Sequence, residues 1–278
     1  MDMNYTQEEM EIKTFYKYKS LSSNCCENNY YENTLKMLKD GELYFSDPNN
    51  FNDPFDCSID ETVSSTDEEF IDYLKRNKFN DDMIKNLLLK KNSGELEFSE
   101  LLYKERKDYF RIFCLSKNYD NQLMWSHYAD CHKGICIGLK TTIFINSLTI
   151  RCKDNQLASG IPSYLPIFRV NYNNNKLEPY NLIKMDKKNI KPFFYRKSDC
   201  WSYEEEYRIV LGENMIKNNP IIISSNEISC VYFGLLIDKE IKNEIINVIL
   251  NLSNKNIRLY NMVKVQGEYK IKAEEIKV

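Results

Sequence analysis

The chain is poor in the residues that announce the commonest metal and nucleophile chemistries. Only two histidines occur in 278 residues. They are His127 and His132, five apart with Asp130 and Cys131 between them, and no second cluster completes the four ligands of a structural zinc site. No metal is therefore expected. The nine cysteines are odd in number and include no Cys-x-x-Cys pair. Cys25 and Cys26 are adjacent, while Cys57, Cys114, Cys136 and Cys230 sit in apolar or aromatic stretches, where a reduced thiol behaves as a small hydrophobe. No Walker lysine follows a glycine loop, and Gly134 and Gly138 bracket a strand instead of forming a phosphate-binding Gly-x-Gly-x-x-Gly turn. An NTPase reading has no support.

Charge of one sign is also missing. The 38 basic and 41 acidic residues leave a net charge of -3, so nothing forces a nucleic-acid or lipid partner. No apolar run approaches the roughly 20 residues of a membrane span, and Met1 to Met10 is polar and acidic, unlike a signal peptide. A cytoplasmic protein with no membrane partner is expected. No internal repeat and no Gly-, Pro- or Ser-rich linker divides the chain, which predicts one α+β domain over 1–278 with a helical insertion, or lid, at about 62–110.

What is present is core-forming material: 42% hydrophobic residues, with 20 tyrosines, enough for a large core and for stacking on a ligand. Strands are expected at Thr14 to Lys19, Leu43 to Ser46, Arg111 to Ser116, Gly134 to Leu139, Ile167 to Tyr172, Glu206 to Leu211, Ile221 to Ile223, Val231 to Gly234 and Ile257 to Tyr260. Helices are expected at Tyr31 to Leu38, through Asp67 to Phe110, at Asn121 to His132 and at Ile237 to Leu252. Helices interrupt the strands without alternating with them. That favours a mixed, largely antiparallel and split sheet with flanking helices over a doubly wound fold.

The densest chemistry lies in Trp201-Ser202-Tyr203-Glu204-Glu205-Glu206-Tyr207-Arg208. Strand alternation through this segment would place Glu204, Glu206 and Arg208 on one face and Tyr203, Glu205 and Tyr207 on the other. Glu204 and Glu206 then project side by side, and neighbouring carboxylates held near an arginine have their pKa values pushed apart, which divides acid from base. Glu205 should point away and tolerate substitution.

Tyr16-Lys17-Tyr18, Gly41 to Ser46, the loop Phe51-Asn52-Asp53-Pro54-Phe55-Asp56, Phe113 to Ser116, Met124-Trp125-Ser126-His127-Tyr128, Gly134 to Gly138 and Trp201 to Arg208 follow one another in an order that resembles the DUF2971 family, whose function is unknown. The resemblance covers nearly the whole chain apart from its first dozen residues and the helical insertion. A weaker similarity is to ADP-ribosyltransferase-like folds, which carry a basic residue on an early strand, a Ser, Thr or Tyr on the next and a Glu-x-Glu pair on a late one. Here Lys17, Ser46 or Ser116, and Glu204-x-Glu206 stand near those positions, although Lys17 replaces the usual Arg or His and no Ser-Thr-Ser occurs.

This second resemblance implies an NAD-using transferase or NAD glycohydrolase, a bacterial toxin or antiviral defence effector, with NAD as substrate and a protein or nucleic acid as acceptor. A regulatory or antitoxin partner goes with that context. Glu206 would stabilise the developing ribosyl cation and Glu204 would orient or deprotonate the acceptor. Tyr18, Trp125 or Tyr128 would stack on a ring, and Lys17, Lys197 or Arg208 would neutralise the pyrophosphate. Asn52, Asp53 and Trp201 complete the candidate binding set. Two other readings compete: a non-catalytic nucleotide- or protein-binding module, and a metal-dependent nuclease built from Asp53, Asp56, Glu204 and Glu206.

Overall fold

The computed structural model describes residues 5–22, 30–101, 106–153, 163–184, 190–216, 221–254 and 256–277. Cys25 and Cys26 lie outside them. Eight strands build the main sheet: β1 Thr14–Lys19, β2 Phe110–Ser116, β3 Ile135–Lys140, β4 Phe168–Arg169, β5 Glu206–Gly212, β6 Ile228–Phe233, β7 Arg258–Lys264 and β8 Ile271–Glu275. Their spatial order is β8-β7-β6-β3-β1-β2-β5-β4. The β6–β7 pair is parallel and the other neighbours are antiparallel. A mixed, mostly antiparallel α+β fold is the result.

Both faces of the central strands are covered, which is why β3 reads as a continuous apolar run. Ile135, Ile137 and Leu139 join one core with Phe15, Phe113, Val231 and Phe233, capped by helix α1 (Tyr30–Asp40) through Met37 and Leu38. Cys136 faces the other way, into a second core with Tyr18, Trp125, Cys230 and Tyr232. Within the expected insertion, α2 (Asp67–Arg76) and α3 (Asp81–Ser93) share a third core of Phe70, Leu74, Ile84 and Leu87. A capping box of Thr66 and Glu69 starts α2, and Gly94 at φ +78° ends α3, each by the local chemistry expected of a helix terminus. Helix α4 (Gln122–Tyr128) follows, opened by the Asn121 side chain, and α5 (Lys239–Leu250) connects the parallel strands. No described helix is long and apolar enough to cross a membrane.

Several expected strands are shorter or differently placed. The second strand is reduced to Glu42–Leu43, paired with Ile221–Ile222, while Ser46 makes a single bridge to Ile112. The strand expected over Ile167 to Tyr172 divides at Val170: β4 pairs with β5, whereas Asn171–Tyr172 pairs with Arg196–Lys197. The helix from Asn121 ends at Tyr128, because Asp130, Cys131 and His132 have φ values of 49°, 51° and 67°. A three-stranded sheet of Thr142–Phe144, Ser147–Arg151 and Tyr164–Pro166, and the last strand β8, were not expected.

The feature that positions the site is a seam in the main sheet. Strand β1 pairs with β3 at six positions, and β2 with β5 at seven. Among the described residues β1 meets β2 at one pair, Tyr16 with Ser116. Past that pair the two strands part, and the Lys17 ammonium bonds the Cys114 carbonyl at 2.9 Å where a backbone ladder would otherwise continue.

Candidate functional site

A cleft of about 360 Å³ opens at this seam, within the size range of small-molecule sites. Its lining brings together Lys17, Tyr18, Ser46, Asn52, Ser116, Tyr128, Lys197, Glu204 and Glu206, residues drawn from segments up to 189 positions apart in the chain (206 − 17).

Local structure around the carboxylates differs from the expected continuous strand. Asp199–Glu204 is a 3-10 helix, Glu205 is left-handed at φ 41°, and β5 begins at Glu206. The left-handed residue redirects the chain, so Glu204 and Glu206 still converge on one cleft although strand alternation does not connect them. Main-chain bonds hold the turn: the Ser116 hydroxyl donates to the Glu204 carbonyl at 2.7 Å and the Lys117 amide to the Glu205 carbonyl at 3.1 Å. The Glu205 side chain accepts from Asn118, and the Asn121 amide that starts α4 donates to the Tyr203 carbonyl at 2.9 Å.

Beneath the cleft lies a buried ionic cluster. Arg208, 0% exposed, bonds both oxygens of Glu206, Nε at 2.7 Å and one terminal nitrogen at 2.7 Å, and both oxygens of Asp56 at 2.8 and 2.6 Å. A further Arg208 bond reaches the Phe194 carbonyl at 3.0 Å. Lys197 Nζ lies 2.6 Å from Glu204, 3.4 Å from Asp56 and 3.6 Å from Glu206. The free side of Glu204 accepts from the Tyr128 hydroxyl at 2.5 Å, and that hydroxyl accepts in turn from Asn52 Nδ2 at 3.3 Å.

These contacts separate the two carboxylates. Burial would raise the Glu206 carboxyl, but the Arg208 and Lys197 cations overcome it and hold the pKa at about 2. Glu204 moves the opposite way: burial and the fixed charge of Glu206 raise it in spite of Lys197. One carboxylate is thus ionised at neutral pH while its neighbour takes up a proton more readily. On β1, burial lowers the Lys17 pKa, and burial with repulsion from Lys17 brings Lys19 to about 7.

Four of the expected site residues lie outside the lining. Trp125, 0% exposed, donates its indole N–H to the Tyr119 carbonyl at 2.8 Å and meets Tyr18 edge-on, so it is a core residue and no ring-binding wall. Asp53 is buried and accepts from the Phe55 amide at 2.9 Å, a structural turn. Trp201 packs its ring under Lys197 Nζ at 4.7 Å. Arg208 is enclosed by two carboxylates and cannot turn to a phosphate. Lys197, although in the lining, is likewise occupied by three carboxylates, and Ser116 has its hydroxyl committed to the Glu204 carbonyl. Nor does the nuclease arrangement form: Asp53 is elsewhere, the other three carboxylates face two cations, and no described group of His, Cys, Asp and Glu is placed to hold a metal.

The structure adds Lys19, Phe51, Cys114 and His127 to the cleft. Lys19 was legible as the i+2 neighbour of Lys17 on the same strand face. His127, which the sequence offers as a metal partner of His132, sits beside the rings of Tyr128, Trp201 and Tyr203. No residue of α2 or α3 lines the cleft.

No curated protein and no solved structure matches the chain. The second half of the site, from α4 with Tyr128 through Lys197, Glu204 and Glu206 to Arg208, falls within residues 124–209, and it is this segment that matches the family described as Protein of unknown function (DUF2971).

Proposed function

We propose that the cleft is the active site of an NAD-using enzyme, an ADP-ribosyltransferase or NAD glycohydrolase of ADP-ribosyltransferase-like fold. The observation that carries the reading is the pair of buried carboxylates in different surroundings, Glu206 bonded through both oxygens to Arg208 and Glu204 shared between Lys197 and the Tyr128 hydroxyl, on the wall of an aromatic-lined cleft at a sheet seam; these contacts hold the first ionised and burial raises the second. Three adjacent strands, β1, β2 and β5, present Lys17, Ser116 and Glu206 in the order the resemblance implies.

In the reaction the bond from ribose C1′ to the nicotinamide nitrogen breaks, and its electron pair neutralises the pyridinium ring. Positive charge develops on the ribose, where the ionised Glu206 stabilises it. An acceptor hydroxyl, or water, then bonds to C1′ and gives its proton to Glu204. Tyr128 and Phe51 supply ring faces for the departing base. The acceptor, a protein or nucleic acid, and a restraining partner belong to the toxin or antiviral effector role that we attach to this reading.

The test is release of nicotinamide from labelled NAD, with and without candidate acceptors, by the wild type and by Glu204→Gln and Glu206→Gln. Each substitution should slow release by about 10²–10⁴-fold, the ordinary range for a lost proton-transfer or charge-stabilising group. Unchanged release in Glu206→Gln would sink the assignment. A second reading, a non-catalytic nucleotide-binding module, is favoured by one observation: Arg208 engages both Glu206 oxygens and offsets the charge the reaction would use. It predicts that NAD binds and is recovered intact.

A further inference from the structure

The cations of the site fall into two groups. Lys197 and Arg208 are consumed by Asp56, Glu204 and Glu206. Lys17 and Lys19 make no ion pair within 4 Å among the described residues: Lys17 feels the Glu206 charge at longer range, bonds the Cys114 carbonyl and caps the Phe113 ring at 4.8 Å, and the Lys19 amine has no acceptor there. Both line the cleft from one face of β1, about 6–7 Å apart at strand spacing. Two like charges so placed repel each other, and burial with that repulsion leaves Lys19 at a pKa of about 7, the state of an ammonium without its counter-ion. Tyr30 and Asn33, from the first turn of α1, line the same cleft, and a helix N-terminus also favours an anion.

The sheet register sets the distance between this pair and the carboxylates. Tyr16, Ser116 and Glu206 lie at one level across β1, β2 and β5. Lys19 stands three residues further along β1, about 10 Å along the strand and two strand spacings across, so its backbone lies about 14 Å from that of Glu206. We propose that Lys17 and Lys19 form an anion subsite that takes the phosphates of a nucleotide, with Lys19 at the end away from Glu206. The sugar-to-phosphate direction rests on the NAD reading above, whereas the anion subsite stands on the two lysines alone.

Calorimetric titration of the whole chain with inorganic pyrophosphate, ADP-ribose and nicotinamide riboside tests it, using the wild type, Lys19→Gln and Lys19→Arg. Removing a charge-assisted hydrogen bond without a substitute weakens binding about tenfold or more. Lys19→Gln should therefore weaken pyrophosphate and ADP-ribose by that factor, Lys19→Arg should stay near wild type, and nicotinamide riboside, which has no phosphate, should bind both variants as it binds the wild type. Wild type that fails to bind pyrophosphate, or equal binding by Lys19→Gln, overturns the subsite. Thermal unfolding of Lys19→Gln at or above the wild-type midpoint agrees with a cation lacking a counter-ion; a lower midpoint reveals a partner and counts against it. Nicotinamide release, measured in parallel, separates the two proposals. Pyrophosphate binding that depends on Lys19 in a protein inert toward NAD keeps the subsite and removes the reaction, while NAD cleavage with unchanged ADP-ribose affinity in Lys19→Gln does the reverse.

Discussion

Replacement of Arg208 by methionine tests the architecture of the site most directly. The guanidinium is fully buried and makes four charged bonds, two to Asp56 and two to Glu206, all between 2.6 and 2.8 Å. Methionine fills much of the volume but leaves two buried carboxylates facing a single cation, Lys197, at 3.4 and 3.6 Å. Breaking a buried pair by removing one partner costs about 3–5 kcal/mol, because an uncompensated charge stays in the interior. At about 2–4 °C per kcal/mol for a chain of this size, the unfolding midpoint should fall by roughly 6–20 °C. Urea unfolding at neutral pH, followed by circular dichroism, measures the loss. Adding Glu206→Gln to Arg208→Met removes one of the stranded charges, so the double variant should be more stable than the sum of the singles by about 1–3 kcal/mol. A single-variant loss under about 1 kcal/mol, or strict additivity, would show that the cluster is not held together by these pairs.

Acid titration of stability gives a second check. The folded-state pKa of Glu206 is depressed to about 2, so its contribution is complete above the unfolded value near 4.5 and disappears as pH falls from there toward 2. Glu206→Gln should flatten the wild-type loss in that window, as read from urea midpoints at stepped pH. Glu205, at φ 41°, should accept glycine with a change within about 1 kcal/mol, because the backbone relief offsets the missing Asn118 hydrogen bond, while the β-branched Glu205→Val should cost about 1–3 kcal/mol. Trp125→Phe strands the Tyr119 carbonyl and opens a gap in the core, so it should cost about 1–3 kcal/mol in unfolding experiments while ADP-ribose affinity, measured by calorimetry, stays at the wild-type value.

The strands of the sheet centre were legible because both of their faces are buried, and runs such as Ile135 to Leu139 have no other reading. Strand β8 was not, since Lys272, Glu274 and Glu275 on an edge strand look like a solvated tail. The Trp201 to Glu205 turn was misread for a related reason: a left-handed turn residue usually announces itself as glycine or asparagine, and here it is a glutamate. The convergence of Lys17, Asn52, Ser116, Tyr128, Lys197, Glu204 and Glu206 on one cleft followed from motif order. The commitment of Arg208 did not, because its partner Asp56 lies 152 residues away and a strand arginine beside glutamates suggests an exposed face. Pairing of buried charges across that separation is a property of the fold, and local pattern carries no trace of it.

Stability alone does not account for the ionic cluster beneath the cleft. Buried ion networks of this kind are often matched or bettered by apolar residues of equal volume, so the five charged groups gain their meaning from what they do to Glu204. Glu206 is kept ionised by Arg208, and the resulting fixed negative charge, with burial, raises the proton affinity of Glu204 against the pull of Lys197. Remove Arg208 and Glu206 loses the stronger of the two cations that lower its pKa, with Lys197 left at 3.6 Å. Glu206 is then protonated at a higher pH than before, and the gap between the two carboxylates narrows. Arg208, out of reach of any ligand, thereby sets the property of the cleft on which its proposed chemistry depends.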